Sequence, residues 1–121
     1  MKKEMYSSEV TILRDTFRRL LRRHAKTNIV KLIDKTHPAD LALIFRYFTE
    51  SEQDTIFSSM AASENTVEFL NELDESITTR LIKNETPERL AEILQEASSN
   101  EQAYLMGIVD EKFANSVIEL L

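Results

Sequence analysis

Acidic side chains at helical spacing are the feature of this 121-residue chain best suited to chemistry. They form two ladders with carboxylates four residues apart: Glu64, Glu68 and Glu72, then Glu88, Glu92 and Glu96. This spacing places like charges on one helix face, which costs about 0.2–0.5 kcal/mol per pair. Because Mg²⁺ and Ca²⁺ prefer carboxylate oxygens, the ladders are consistent with a weak cation site or with a solvated acidic face.

The other residue types do not assemble a catalytic motif. The chain has two histidines and no cysteine, and it lacks a glycine-rich phosphate loop, a Ser–His–Asp order and a His-x-x-x-His pair. His37 precedes Pro38 at a helix start, where we expect a cap, and His24 lies in an arginine-rich turn that should face solvent. We therefore predict that the chain is not an enzyme.

Charge is distributed unevenly along the chain. Residues 1–35 carry ten Lys and Arg against four Asp and Glu, whereas residues 36–121 carry five against seventeen. The simplest interpretation is that the basic segment docks on the acidic one and their charges pair. The alternative is a helix that faces phosphate or lipid through Arg18, Arg19, Arg22 and Arg23. The acidic segment predicts no nucleic-acid binding, because it would repel backbone phosphates.

A regular spacing of helix-start residues indicates the fold class. One glycine and two prolines favour helices over a turn-rich β fold. Capping residues recur at intervals of 11, 12, 12 and 12 positions, at Ser63, Asp74, Thr86, Ser98 and Asp110. A fixed period is typical of repeats that stack to bury their apolar faces. The pattern predicts one all-α domain over residues 1–121, with a basic helical segment (1–35) and an acidic short-helix repeat (36–121).

Local signals place individual helices. The apolar spacing from Val10 to Leu21 predicts a first helix from Ser8 to Ala25, followed by a break at Thr27-Asn28 and a short second helix. Pro38 and Pro87, 49 residues apart, open the two helices most alike in sequence. Two capping boxes are predicted, Thr49 with Glu52 and Ser98 with Glu101.

Three short motifs resemble the cytosolic N-terminal domain of the MgtE family of magnesium transporters. They are His37-Pro38-Ala39-Asp40-Leu41-Ala42, Phe69-Leu70-Asn71-Glu72-Leu73 and Pro87-Glu88-Arg89-Leu90-Ala91-Glu92-Ile93-Leu94. The resemblance covers about residues 29–121 and implies an all-α, armadillo-like, right-handed superhelix of short helices. In that family the domain precedes a pair of CBS domains and a transmembrane pore, and Mg²⁺ between the N and CBS domains favours the closed channel.

The resemblance also implies a site and partners. One acidic position of the family matches Glu68. The acidic positions near the start of the predicted Ser98 helix fall on Asn100, Glu101 and Tyr104, of which only Glu101 keeps a carboxylate. Mg²⁺ would thus be held by Glu68 and Glu101, and the partners would be CBS and transmembrane domains of the same or a partner chain. An interaction scaffold without ion sensing is the alternative that Asn100 and Tyr104 favour.

The resemblance further implies a cytoplasmic location, at the inner face of a membrane if a downstream domain anchors the chain. No run of 18 apolar residues is present, so no span is expected within this chain.

Overall fold

The computed structural model describes residues 7–121, and every regular element in that range is an α-helix. The nine described helices are α1 (Ser7–Arg22), α2 (Lys26–Lys35), α3 (Pro38–Phe45), α4 (Glu50–Ser58), α5 (Glu64–Glu72), α6 (Glu75–Lys83), α7 (Pro87–Gln95), α8 (Ser99–Met106) and α9 (Glu111–Leu120). The predicted all-α class is confirmed for these residues. The first six residues of the predicted basic segment lie outside the described range.

The chain forms two compact units, one ending at Met60 with α1–α4 and one from Ala61 to Leu121 with α5–α9. An offset of 49 positions in the sequence relates their helices. The starts of α2, α3 and α4 lie 49 residues before the starts of α6, α7 and α8. The offset also carries each N-cap residue onto its counterpart, Ala25 to Asp74, His37 to Thr86 and Thr49 to Ser98. The likeness seen at Pro38 and Pro87 therefore belongs to a longer internal repeat.

Side-chain caps define most helix starts, as the sequence predicts. Both capping boxes are present, with the Thr49 N–H donating to Glu52 Oε1 at 2.8 Å and the Ser98 N–H donating to Glu101 Oε1 at 2.8 Å. His37 Nδ1 accepts the Ala39 N–H at 3.1 Å, which confirms its capping role. Ser63, Thr86 and Asp110 also cap their helices. Asp74 precedes α6 but makes no side-chain cap.

The boundary between the first two helices differs from the prediction. α1 ends at Arg22 rather than Ala25, and Thr27-Asn28 lie in the first turn of α2 rather than in a break. The cause is His24, which has a φ of 53° in the left-handed region. Its N–H bonds the Leu21 carbonyl at 3.1 Å, and the Ala25 N–H bonds the Leu20 carbonyl at 3.1 Å, which is a Schellman stop. Glycine or asparagine usually marks this stop, so histidine hides it from sequence rules.

Aromatic side chains form the core of the first unit. Phe17 of α1 meets Phe48 edge-on with 6.0 Å between ring centroids, and Phe48 meets Phe45 in the same way at 6.1 Å. Helix α1 packs on α2, α3 and α4, so the basic segment does dock on the start of the acidic one. Arg18 adds an ion pair to Glu52, with 3.2 Å between Nε and Oε2.

The second unit buries mainly aliphatic side chains, and α7 packs on both α5 and α9. Its fully buried large residues are Phe69, Leu70, Ile82, Leu90, Ile93, Leu94 and Leu105.

One polar contact recurs in both units at the 49-residue shift. The buried amide of Gln53 donates to the carbonyls of Phe45 and Phe48 at 2.8 and 3.4 Å, and Gln102 donates to those of Leu94 and Ala97 at the same distances. Each glutamine thus ties the first turn of one helix to the carboxyl end of the preceding helix.

None of the described helices combines the length and the hydropathy needed to cross a bilayer.

Candidate regulatory surface

The predicted carboxylate Glu101 lies in the first turn of α8, and both of its oxygens accept hydrogen bonds. Oε1 accepts the Ser98 N–H at 2.8 Å, and Oε2 accepts the Asn71 side-chain amide at 2.7 Å. The second bond joins α5 to α8 across 30 residues of sequence. Glu101 is therefore held in one orientation by its own capping box and by a neighbouring helix.

Hydrogen bonding keeps Glu101 ionised. The Ser98 backbone N–H lowers the pKa of Glu101 below its ordinary value of 4.5, the Ser98 hydroxyl acts in the same direction, burial opposes them, and the Asn71 amide adds the smallest lowering. Donors that stabilise the charged form of a carboxylate lower its pKa in this way. The Glu101 carboxylate consequently stays ionised to a lower pH than an ordinary glutamate does.

The second predicted carboxylate, Glu68, lies on α5 and is exposed. It precedes Asn71 by three residues, so the two share one face of the helix. Because Asn71 bonds Glu101, Glu68 lies one helical turn before the residue through which α5 contacts the start of α8. Sequence reasoning missed Asn71, since nothing in its local pattern marks a contact with α8.

The positions where the family motif departs from carboxylates are also on α8. Asn100 is exposed, and Tyr104 keeps 38% of its surface exposed. All six glutamates of the two acidic ladders are exposed as well. The described part of the chain contains no group of three or more His, Cys, Asp or Glu placed to hold one metal ion.

The residue equivalent to Glu101 in the first unit is Glu52, 49 positions earlier in the sequence. Glu52 caps α4 and also forms an ion pair with Arg18. Arg18 Nη2 donates to the Tyr47 carbonyl at 2.5 Å, and the Arg18 guanidinium lies 5.7 Å from the Phe48 ring centroid. Burial raises the pKa of Glu52, but the Thr49 N–H and the Arg18 charge outweigh it and hold the pKa below 4.5. A cation covers this carboxylate, whereas a neutral amide covers Glu101.

These two depressed pKa values predict acid sensitivity. A carboxylate with a lowered folded-state pKa stabilises the fold above its unfolded pKa, and this stability is lost as pH falls through the folded value. The free energy of unfolding should therefore decline below about pH 4.5. In the variant Glu52→Gln/Glu101→Gln, glutamine can still complete each capping box but does not titrate. Urea unfolding at several pH values should show a shallower decline for this variant, and equal slopes would contradict the prediction.

The described helices and this surface indicate the class of protein, which is an α-helical repeat protein of short, capped helices with an acidic face. The model of the MgtE intracellular N domain family matches residues 36–121, which span α3 to α9. The chain therefore belongs to the MgtE intracellular N domain family, and the resemblance seen in its motifs is confirmed. No curated protein and no solved structure matches the chain.

The donor set on this surface suits part of a magnesium site. Mg²⁺ takes one or two carboxylates and keeps several of its waters. Glu68 and Glu101 supply two carboxylates, and each oxygen of Glu101 retains a lone pair beside the hydrogen bond that it accepts. Both residues are thus carboxylates of the kind that Mg²⁺ binds, and the described residues form no complete metal cage around them.

Proposed function

We propose that this chain is the cytoplasmic regulatory domain of an MgtE-type magnesium transporter and that its acidic face responds to Mg²⁺ through Glu68 and Glu101. The observation that carries the proposal is the family match over residues 36–121. The oriented, ionised carboxylate of Glu101 and the exposed Glu68 support it.

The proposed response follows from charge repulsion. A partner surface that is also acidic, such as a CBS domain of the same or a partner chain, would repel this face when Mg²⁺ is scarce. Mg²⁺ bound between the two surfaces removes the repulsion, so it favours the docked state by its differential affinity. In this scheme Asn71 and Ser98 position Glu101, while Glu68 adds the second carboxylate.

Magnesium should stabilise the chain through these two residues. A ligand at ten times its dissociation constant adds about 1.4 kcal/mol, which is a rise of about 3–6 °C in unfolding midpoint for a domain of this size. We expect a rise of that order in tens of millimolar MgCl₂ relative to NaCl of equal ionic strength. Glu68→Gln/Glu101→Gln should lose it, with the capping box at Ser98 intact.

The matched control is Glu92→Gln/Glu119→Gln, which removes two exposed carboxylates of α7 and α9 and should keep the full magnesium effect. A magnesium effect that survives in Glu68→Gln/Glu101→Gln would place the ion elsewhere and contradict the site. Family membership does not depend on this outcome.

An interaction scaffold without ion sensing is the second candidate. It is favoured by the two hydrogen bonds that already occupy the oxygens of Glu101 and by Asn100 and Tyr104 on the same helix. If it is correct, MgCl₂ and NaCl of equal ionic strength will give the same unfolding midpoint in the unmodified chain.

A further inference from the structure

The 49-residue repeat places opposite charges at equivalent positions of the two units. Arg19 corresponds to Glu68, Arg23 to Glu72, and Lys26 to Glu75. All six side chains are exposed. In each unit these positions extend from the C-terminal part of one helix to the first residue of the next helix. The helices are α1 and α2 in the first unit and α5 and α6 in the second. Equivalent helix-to-helix junctions in the sequence thus carry a basic corner once and an acidic corner once.

The basic corner comprises Arg19, Arg22, Arg23 and Lys26. The Schellman stop at His24 joins α1 to α2, and the four cations lie on the last turn of α1, directly after it, and at the first residue of α2. Residues 16–33 contain six Lys and Arg and no Asp or Glu. Within the described residues of the first unit no carboxylate pairs with the four, in contrast to Arg18, which bonds Glu52.

The acidic corner comprises Glu68, Asp74 and Glu75, beside Glu72, which already interacts within the chain. Residues 64–79 contain five Asp and Glu and no Lys or Arg. Asp74 stands at the N-cap of α6, but its carboxylate makes no capping hydrogen bond. Its counterpart Ala25 has no side-chain cap either. The helix ends before these residues differ, because His24 has a φ of 53° whereas its counterpart Leu73 has a φ of −68°.

We propose that the basic corner of one chain docks on the acidic corner of a second copy of the same chain. The acidic corner offers carboxylates at the positions equivalent to Arg19 and Lys26, whereas the position equivalent to Arg22 is Asn71, so the two surfaces are complementary in sign. Like-charge contacts would disfavour the two alternative pairings, basic on basic and acidic on acidic, which gives the contact its specificity.

Charge favours a second copy over an extended polyanion as the occupant. Residues 61–121 carry thirteen Asp and Glu against four Lys and Arg, so a membrane or nucleic acid that attracts the basic corner would repel the rest of the chain. A second copy meets attraction at both corners. The contact needs no bound ion, so it goes beyond the proposed magnesium response and does not depend on it.

A charge exchange between the corners tests the contact. Sedimentation of the unmodified chain in chelator and about 0.1 M salt should show mass rising with concentration, and about 1 M salt should abolish the rise because the screening length falls to about 3 Å. Arg19→Glu/Lys26→Glu and Glu68→Lys/Glu75→Lys should each weaken self-association at least tenfold. An equimolar mixture of the two variants should associate, since each supplies the corner that the other has lost.

Two control pairs carry the same charge changes outside the corners. They are Arg46→Glu/Lys112→Glu and Glu92→Lys/Glu119→Lys, all at exposed positions, and both should associate like the unmodified chain. Circular dichroism of each variant verifies that it is folded. The proposal is overturned if the unmodified chain stays monomeric up to the millimolar range, if the controls weaken association as much as the corner variants, or if the mixture does not associate. Capture of a monomeric chain by phosphatidylglycerol vesicles or by duplex DNA, lost in Arg19→Glu/Lys26→Glu, would also overturn it.

Discussion

Replacing Phe17 with alanine is expected to lower the free energy of unfolding by about 3–5 kcal/mol, the range for a buried phenylalanine. Phe17 has no exposed surface, and its ring contacts Phe48 edge-on at 6.0 Å. The substitution removes that aromatic contact and leaves a cavity between α1 and the helices on which it packs. Urea unfolding followed by circular dichroism measures the loss.

Ile12→Ala on the same helix is the matched control. Ile12 keeps 66% of its surface exposed, so its truncation should change stability by no more than about 0.5 kcal/mol. A loss below about 1 kcal/mol for Phe17→Ala would show that α1 is not part of the cooperative unit. That result would matter, because α1 precedes the residues matched by the family.

Replacing Gln53 with methionine is expected to cost about 1–3 kcal/mol. Methionine approximates the length of the side chain but cannot donate hydrogen bonds, so the carbonyls of Phe45 and Phe48 lose the donor that Gln53 provides. The Phe45 carbonyl keeps the Phe48 N–H at 3.1 Å, so the Phe48 carbonyl bears most of the loss. Chemical denaturation of the variant, with the midpoint and slope fitted separately, measures the effect.

The repeat supplies the control for this prediction. Gln102 makes the same two bonds in the second unit, but it is only half-buried, so water can replace the lost donor. Gln102→Met should therefore cost clearly less than Gln53→Met. Equal costs would mean that burial does not set the energy of this contact.

Local signals predicted most of the helix starts because their causes are local. A capping box needs only two side chains three residues apart, and both boxes form as predicted. The end of α1 could not be predicted, because a histidine occupies the left-handed position of its Schellman stop. At Asp74 the sequence predicts a cap that the structure lacks, because this favourable capping residue precedes α6 but its side chain makes no capping hydrogen bond.

The candidate site was only partly visible in the sequence. The family motif marked Glu68 and Glu101, and the capping pattern gave one of the two hydrogen bonds of Glu101. The other bond, from Asn71, depends on how α5 packs near α8, and no local pattern records a contact across 30 residues. The ion pair of Arg18 with Glu52 across 34 residues was hidden for the same reason, although the charge distribution indicated that such pairing should occur.

The division of the chain into two compact units has a consequence for how this family is delimited. The first compact unit comprises α1 to α4, whereas the family match begins at residue 36, between the second and third helices of that unit. The boundary of the family match and the boundary of the compact unit thus differ by two helices. A polypeptide trimmed to the matched residues would start inside the first unit and leave Phe48 without the Phe17 ring that it contacts edge-on. For this chain, the piece to express and to compare between relatives is the whole pair of units rather than the matched segment.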